Sequence, residues 1–203
     1  MEFQKTPEAT ESERLISEIR DCRICANNLP HEPRPVVQFS QSASILVAGQ
    51  APGRRVHETG VPFNDPSGDR LRDWMGIDRK TFYDPQKINI VPMGFCYPGT
   101  DPGKGDLPPR PECADTWHPR LMEHLANVDL ILVIGAYAHR YHLGAKTSTR
   151  LADTVERFQD YGPRQFPLPH PSPRNRRWFA QHPWFEQRVI PALRRRIKEM
   201  LAT

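Results

Sequence analysis

The segment DLILVIG at residues 129–135 is the clearest indication of the fold of this chain, and it leads directly into AYAHRYHLG at residues 136–144. Its uninterrupted apolar run predicts a strand that is buried on both faces of a sheet, as in parallel sheets. The glycine that follows predicts a turn into a helix. Further strands are predicted at residues 45–48 (ILVA), 87–93 (KINIVPM) and 166–170 (FPLPH).

Helices are predicted between these strands. Apolar residues at helical spacing predict helices over residues 8–20, 112–126 and 183–201, and a further helix capped by Ser67 that ends at Gly76. Strands that alternate with helices indicate an α/β fold with a parallel sheet covered on both faces. Ligands of such folds bind beyond the carboxyl ends of the strands. We therefore expect the loops GQAPG (49–53), the residues after VPM (91–93) and HPSPRN (170–175) to converge on one cleft.

The length of 203 residues predicts one domain over residues 1–203. The chain has no apolar run long enough to span a membrane, and MEFQKTPEATESERL does not resemble a secretory signal, so we expect a cytoplasmic protein. The net charge is +4, but residues 164–203 alone carry +7. This basic segment predicts either a surface that faces a polyanion or a solvated helix end.

Four cysteines follow the pattern C-x2-C and, after 70 residues, C-x16-C: Cys22, Cys25, Cys96 and Cys113. In a reducing compartment this pattern favours metal binding over disulfides. A thioredoxin-type site is disfavoured, because the first pair follows an amphipathic helix and not a strand. Four thiolates suit a zinc ion or a [4Fe–4S] cluster, and the spacing does not separate the two. Either centre would fix the Pro/Gly-rich loop between the last two cysteines.

The loop motifs are more specific in combination than singly. GQAPG at 49–53 is followed, seven residues after its last glycine, by GVPF at 60–63, and then by HPSP at 170–173. Together with the cysteine pattern, this resembles the uracil-DNA glycosylase superfamily, and most closely its iron–sulfur branches, family 4 and family 5. HPSPRN resembles the corresponding loop of single-strand-selective uracil glycosylases. The resemblance covers about residues 20–200.

The resemblance implies a three-layer α/β/α sandwich with a central four-stranded parallel sheet, and it implies that the four cysteines hold a [4Fe–4S] cluster. Phe63 matches the aromatic residue that stacks on a flipped base, and His170 matches the histidine that stabilises the departing base. Further residues implied to bind the base or the DNA are Gly49, Ala51, Pro52, Ser172, Arg174, Asn175 and Arg176. The implied partner is DNA that contains a deaminated base, bound by a monomer.

The sequence departs from the family pattern at the catalytic carboxylate. Gln50 stands where family 4 has glutamate, and Ala51 stands where other branches have aspartate. Asp65 is our candidate for a replacement carboxylate, with Asp69 second, although Asp65 or Ser67 also suits the cap of the following helix. The amides of Asn64 or Gln50 are alternatives that would hold the attacking water without deprotonating it.

A second departure concerns recognition of the base. Pro92 occupies the position of the asparagine that pairs with uracil in family 4, and Asn89 lies three residues earlier. Asn89 and the backbone of residues 92–94 are therefore candidates for reading the base, which is uracil or another deaminated base such as hypoxanthine or xanthine.

Three functions remain open from the sequence. The first is a monofunctional DNA glycosylase that leaves an abasic site. The second is a catalytically weak or silent DNA-binding or damage-sensing protein on the same iron–sulfur scaffold. The third is a zinc-stabilised hydrolase of another substrate.

Overall fold

The computed structural model of the chain describes residues 10–103, 105–144 and 150–202. Its centre is a four-stranded, fully parallel sheet in the order β2-β1-β5-β6. The strands are β1 (Ile45–Ala48), β2 (Ile88–Ile90), β5 (Leu130–Ile134) and β6 (Gln165–Leu168), and a separate two-stranded hairpin consists of β3 (Thr100–Asp101) and β4 (Gly105–Asp106).

Short helices connect the strands. The α-helices are α1 (Glu11–Arg20), α2 (Arg54–Thr59), α3 (Pro66–Met75), α4 (Arg79–Phe82), α5 (Pro111–Glu123), α6 (Gly135–Leu143), α7 (Leu151–Glu156), α8 (Arg176–Gln181) and α9 (Ile190–Leu201). Single turns of 3-10 helix lie at residues 26–28, 158–161 and 173–175, and a π-helical turn at residues 185–189 leads into α9.

Two hydrophobic clusters cover the two faces of the sheet. Alternate residues of β1 point to opposite sides, since Ile45 and Val47 pack in one cluster and Leu46 and Ala48 in the other. The first cluster takes its helical side chains from α3, α4, α7 and α9, and the second from α1, α5 and α6. This confirms the predicted three-layer α/β/α sandwich with a central four-stranded parallel sheet.

The structure corrects several predicted boundaries. Asp65, and not Ser67, caps α3, because its Oδ1 accepts the backbone N–H of Gly68 at 2.9 Å. The strand predicted over residues 87–93 covers only Ile88–Ile90, since Pro92 has no N–H for the ladder. The helix predicted over 183–201 is divided into the π-helical turn and α9. Residues 8 and 9 of the first predicted helix lie outside the described residues.

The sequence patterns did not indicate α2, α4, α7 or the β3–β4 hairpin. Each of these elements has six residues or fewer, too short for a periodic apolar pattern to be recognised. No helix within the described ranges has the length and apolar character needed to cross a lipid bilayer.

Candidate active site

The predicted convergence of loops is present as a cavity of about 240 Å³ at the carboxyl ends of the parallel strands. The loop after β1 supplies its wall from Gly49 to Gly53, the segment after β2 supplies Pro92, and the loop after β6 supplies His170 to Arg174. A fourth segment, between α2 and α3, adds Pro62, Phe63 and Asp65, and the start of α3 adds Pro66 and Ser67. The cavity therefore lies where ligands of parallel α/β sheets bind.

Phe63 lies in this wall in an unusual backbone conformation. Its φ of 52° places a bulky residue in the left-handed region, which such residues rarely occupy. Two glycines make room for it. A β-carbon on Gly49 would lie 3.2 Å from the Phe63 ring, and a β-carbon on Gly68 would overlap the Phe63 carbonyl oxygen. The position of the Phe63 ring is therefore imposed by its surroundings.

The buried side chain of Arg72 supports the backbone of this segment. Arg72 in α3 is only 7% exposed, and its guanidinium donates to the Phe63 carbonyl at 3.3 Å and lies over the rings of Phe82 and Tyr83. The Tyr83 hydroxyl donates to the Pro62 carbonyl at 2.8 Å. These contacts hold the Phe63 loop against α3 and α4, and the sequence patterns did not predict them.

His170 is held in one tautomer by its own loop. The backbone N–H of Ser172 donates to Nδ1 of His170 at 3.2 Å, so the neutral ring carries its proton on Nε2. Burial lowers the pKa of His170, and the nearby carboxylates of Asp65 and Asp106 only partly oppose this. At neutral pH the site thus contains an uncharged imidazole with an Nε2–H donor.

The rest of the HPSPRN loop is fixed by internal hydrogen bonds. Arg70 of α3 donates to the carbonyls of Pro171 and Ser172, at 3.4 and 3.1 Å. Asn175 donates to the His170 carbonyl at 2.8 Å, and the Ser172 hydroxyl accepts the Arg174 N–H at 3.2 Å. Ser172 and Asn175, predicted to contact DNA, thus use their side chains within the loop. Arg70 is a positioning residue that the sequence patterns did not reveal.

Two predicted base-binding amides lie elsewhere. Asn89 is completely buried, and its side chain forms hydrogen bonds with the backbone N–H and C=O of Ser40, at 2.7 and 3.0 Å. Asn64 accepts from the Arg79 guanidinium at 2.9 Å. Neither Asn64 nor Asn89 is among the described residues that line the cavity. The prediction that these side chains bind the base is therefore wrong for this arrangement, since both amides are engaged with other partners.

The structure places some candidates for the missing carboxylate in the cavity and others outside it. Asp65 and Gln50 both line the cavity. Gln50 donates from Nε2 to the Leu107 carbonyl at 3.4 Å, and Asp65 caps α3 with one oxygen. Asp69, the second candidate, is paired with Arg72 at 2.5 Å and is not among the described cavity residues. The cavity instead contains Asp106, from the unpredicted hairpin.

Gly49, Ala51, Pro52 and Arg174 line the cavity as expected for residues near a ligand. Arg176 is exposed at the start of α8, beyond the described cavity residues. The basic segment therefore begins at the cavity rim with Arg174 and continues onto the adjacent surface.

The four cysteines come from three parts of the chain and interact electrostatically with one another. All four are free thiols, and the electrostatic interactions between them show that they lie near one another. Burial, more than the neighbouring thiols, raises the pKa of Cys96 to about 12 and that of Cys113 to about 11. Within the described ranges no three His, Cys, Asp or Glu side chains are arranged to hold a metal ion.

The chemistry of this donor set suits a [4Fe–4S] cluster and also a zinc ion, because both bind four thiolates. One zinc ion draws its ligand sulfurs to about 2.3 Å from a common centre. In a [4Fe–4S] cluster each of four thiolates binds its own iron, so the sulfurs stand further apart around a larger centre. Four buried or half-buried thiols without a disulfide are suited to such a cluster in their chemistry.

Comparison with known families agrees with the geometry. The family model described as the uracil DNA glycosylase superfamily matches residues 36–194. That span is well over half of the chain and includes all four strands of the main sheet and every segment that lines the cavity. With the sandwich fold, the converging loops and this match taken together, the chain belongs to the uracil DNA glycosylase superfamily.

Proposed function

We propose that the protein is a DNA repair glycosylase that hydrolyses the N-glycosidic bond of uracil, or of another deaminated base, and leaves an abasic site. The observation that carries the proposal is the pairing, in one cavity, of the constrained Phe63 ring with a neutral His170 that presents an Nε2–H. The first offers a face for a base, and the second offers a donor for the charge that the base acquires when it leaves.

A base within duplex DNA has to leave the helix before its glycosidic bond is accessible. The Phe63 ring provides a stacking face for the extruded base, and such stacking contributes about 1–3 kcal/mol per base. Because the ring is held by Gly49, Gly68 and Arg72, little ordering is needed when the base binds.

His170 acts on the leaving group. As the bond from C1′ to the base nitrogen breaks, its electron pair moves onto the base, and the Nε2–H of His170 donates a hydrogen bond to the base oxygen that becomes negative. A neutral donor with a fixed orientation stabilises this charge without reorganising during the reaction. The Ser172 N–H keeps the ring in the required tautomer.

Cavity composition bears on which base is accepted. The backbone N–H groups of Met93 and Gly94 donate to the carbonyls of Gly49 and Gln50 at 2.9 Å, and so are engaged within the protein. The Pro92 carbonyl accepts the Nε2–H of His118 at 3.1 Å. With Asn89 also turned away, this wall offers the base mainly apolar contact, which supports a pocket that accepts more than one deaminated base.

The proposed reaction is monofunctional. None of the described residues that line the cavity is a lysine, so the cavity offers no amine that would form a Schiff base with the sugar and cleave the strand. Arg174 at the rim and Arg176 beyond it are placed to contact phosphates beside the flipped nucleotide.

We further propose that Cys22, Cys25, Cys96 and Cys113 hold a [4Fe–4S] cluster. When bound, the cluster supplies a structural crosslink between the segment after α1, the segment after β2 and α5. Its predicted consequence is a fixed position of β3 and β4, the hairpin that reaches the cavity. Iron and acid-labile sulfide in the purified protein, absent together from Cys96→Ser, would support this, whereas bound zinc without iron would contradict it.

The decisive experiment is a base-release panel on single-stranded and double-stranded oligonucleotides that carry uracil, hypoxanthine or xanthine. The protein is expected to release at least one of these bases, and to yield an alkali-labile site without direct strand cleavage. His170→Ala should lower the rate of release by about 10²-fold or more, the effect of removing one donor to a developing oxyanion, and should retain DNA binding.

The competing function, a silent DNA-binding protein, is favoured by one observation, which is Gln50 in place of the motif carboxylate. It predicts salt-sensitive binding without release of any base in the panel. DNA binding with no release from any substrate would therefore reject the glycosylase proposal and leave the binding function.

A further inference from the structure

The cavity has two ends with different surroundings. A second and more open cavity of about 250 Å³ adjoins it and shares Gln50, Pro52, His170 and Arg174 with it. Phe63, Asp65 and Pro92 line only the first cavity, whereas Asp106 lines both. If Phe63 stacks on the base and His170 contacts the base oxygen, the sugar and phosphate of the same nucleotide lie further along the shared end, towards Arg174.

Asp106 is held at this shared end by its hairpin. Its Oδ1 accepts the Thr100 hydroxyl at 2.8 Å, and the Thr100 hydroxyl in turn shares a hydrogen bond of 2.5 Å with the buried Tyr97 hydroxyl. The next residue, Leu107, is fixed by its N–H to the Gly99 carbonyl at 2.9 Å. Asp106 is thus oriented by its neighbours, although its side chain is open to solvent.

The motif glutamine contributes to this placement. Gln50 donates from Nε2 to the Leu107 carbonyl, which joins the loop after β1 to the end of the hairpin. Oδ2 of Asp106 lies on the Gly53 side, 3.7 Å from where a β-carbon on that glycine would stand. The side chain at position 50 therefore anchors the segment that carries a carboxylate, in a chain that has no carboxylate at position 50 itself.

We infer that Asp106 is the catalytic carboxylate that holds the attacking water, an inference that rests on the proposed glycosylase function. The water oxygen forms a bond to C1′ as the bond from C1′ to the base nitrogen breaks, and the bonding pair leaves with the base. One water proton passes to the free oxygen of Asp106 and then to solvent or to the released base. The products are the abasic sugar, with a hydroxyl on C1′, and the free base.

Asp106 and Asp65 differ in where they lie within the cavity. The water attacks at the sugar, so its holder has to lie at the sugar end, and Asp65 lines only the end that contains Phe63. A negative charge at the sugar end also stabilises the positive charge that develops on the sugar as the base departs. Asp65 instead remains the cap of α3 and faces the base.

The test compares three asparagine variants by single-turnover base release and by DNA affinity. Asp106→Asn keeps an acceptor for Thr100 and is expected to slow release by about 10²-fold or more, the usual size of general acid–base effects, at unchanged Kd for DNA. Asp65→Asn keeps the helix cap, because asparagine is a good cap residue, and is expected to alter the preference among bases more than the maximal rate.

Asp101→Asn is the matched control. This substitution removes the same charge from the same hairpin, and Asp101 is not among the described residues that line either cavity. The variant is expected to release base as the wild type does. Thr100→Val, which leaves the Asp106 carboxylate in place but removes its hydrogen bond, should show an intermediate rate and serves as a second test if Asp106→Asn proves poorly folded by thermal melting.

Wild-type release rates in Asp106→Asn would overturn the inference while leaving the glycosylase function intact. So would a slow Asp106→Asn variant whose affinity for DNA falls in proportion, because that would make Asp106 a DNA-binding group. Absence of base release from the wild-type protein would instead refute the proposed function itself, so the two failures are distinguishable.

Discussion

At the scale of single residues, the site depends on a backbone conformation of Phe63 that a bulky side chain disfavours. A phenylalanine at φ 52° costs about 1–3 kcal/mol and persists only where its surroundings over-determine it. Here the surroundings are Gly68, which lies against the Phe63 carbonyl, and Arg72, which donates to the same carbonyl. Gly68 therefore determines the position of a cavity residue, although it belongs to a helix and is not itself among the described residues that line the cavity.

Gly68→Ala is expected to move Phe63 out of position. The added methyl group would overlap the Phe63 carbonyl oxygen, so the loop or α3 has to shift, at a cost of about 1–3 kcal/mol in the free energy of unfolding. Base release should fall more steeply than stability, because the stacking face is displaced. Urea unfolding and single-turnover release measure the two effects.

Gly103→Ala is the control for this change. Among the described residues, a β-carbon there would meet only the Asp101 carboxylate oxygen, at 3.4 Å, at the exposed tip of the hairpin. We expect an effect within about 0.5 kcal/mol. If Gly68→Ala were as mild as Gly103→Ala in both assays, the position of Phe63 would not depend on close packing with α3.

At the scale of elements, a neutral histidine joins α5 to the end of β2 and to α6. His118 is 1% exposed, stacks on Phe95, meets the Tyr141 ring edge-on, and donates to the Pro92 carbonyl. Burial lowers its pKa to about 4, and burial together with the nearby His118 lowers that of His142 to about 4 as well. These groups pack as uncharged rings.

This packing predicts a decrease in stability in acid. The unfolded chain takes up a proton on His118 near its ordinary pKa of about 6.5, whereas the folded protein resists protonation until about pH 4. The stabilisation is therefore complete above about pH 6.5 and disappears as the pH falls towards 4, by about 3 kcal/mol for this buried residue.

His118→Gln should flatten that dependence, because glutamine also donates to the Pro92 carbonyl but does not titrate. The free energy of unfolding, measured in urea at about pH 7 and at about pH 5, should fall less in the variant than in the wild type. An equal fall in both proteins would show that His118 is not the group whose protonation destabilises the fold.

At the scale of the whole molecule, the charge of the basic C-terminal segment is divided between two edges of the sheet. Arg174 lies at the cavity rim, beyond the carboxyl end of β6. Arg195 lines a separate cavity together with Gln165, at the amino end of the same strand. Arg194 and Arg196 donate to the carbonyls of Asp73 and Pro163 and so serve the packing of α9.

Removal of Arg174 at the rim, or of Arg176 beside it, is expected to weaken DNA binding in a salt-dependent way. For each phosphate that the arginine neutralises, Arg174→Ala or Arg176→Ala should make the slope of log affinity against log salt shallower by about 0.9 on duplex DNA. Arg195→Ala, at the opposite edge, should leave the slope unchanged. Anisotropy titrations over a range of salt concentrations test this, and an equal effect of all three variants would argue against a localised DNA-binding edge.

How far the site could be predicted differed between its parts. The loop motifs located Phe63, His170 and the glycine-rich wall, because each follows a recognisable strand or turn. Asn89 was misassigned because a short strand does not reveal which way a polar residue points, and this one turned inward to Ser40. Asp106 was missed because its hairpin is too short to leave a pattern.

Local apolar patterns and turn residues were enough to establish the class of fold, the succession of the main strands along the chain and the loops at their ends. The roles of particular side chains were instead set by the packing of the layers. Whether Asp65 caps a helix, Gln50 anchors Leu107 or Asp106 reaches the cavity depends on how segments meet in three dimensions. These contacts form only when the layers pack, because the local sequence around one residue does not indicate which distant residues it will contact.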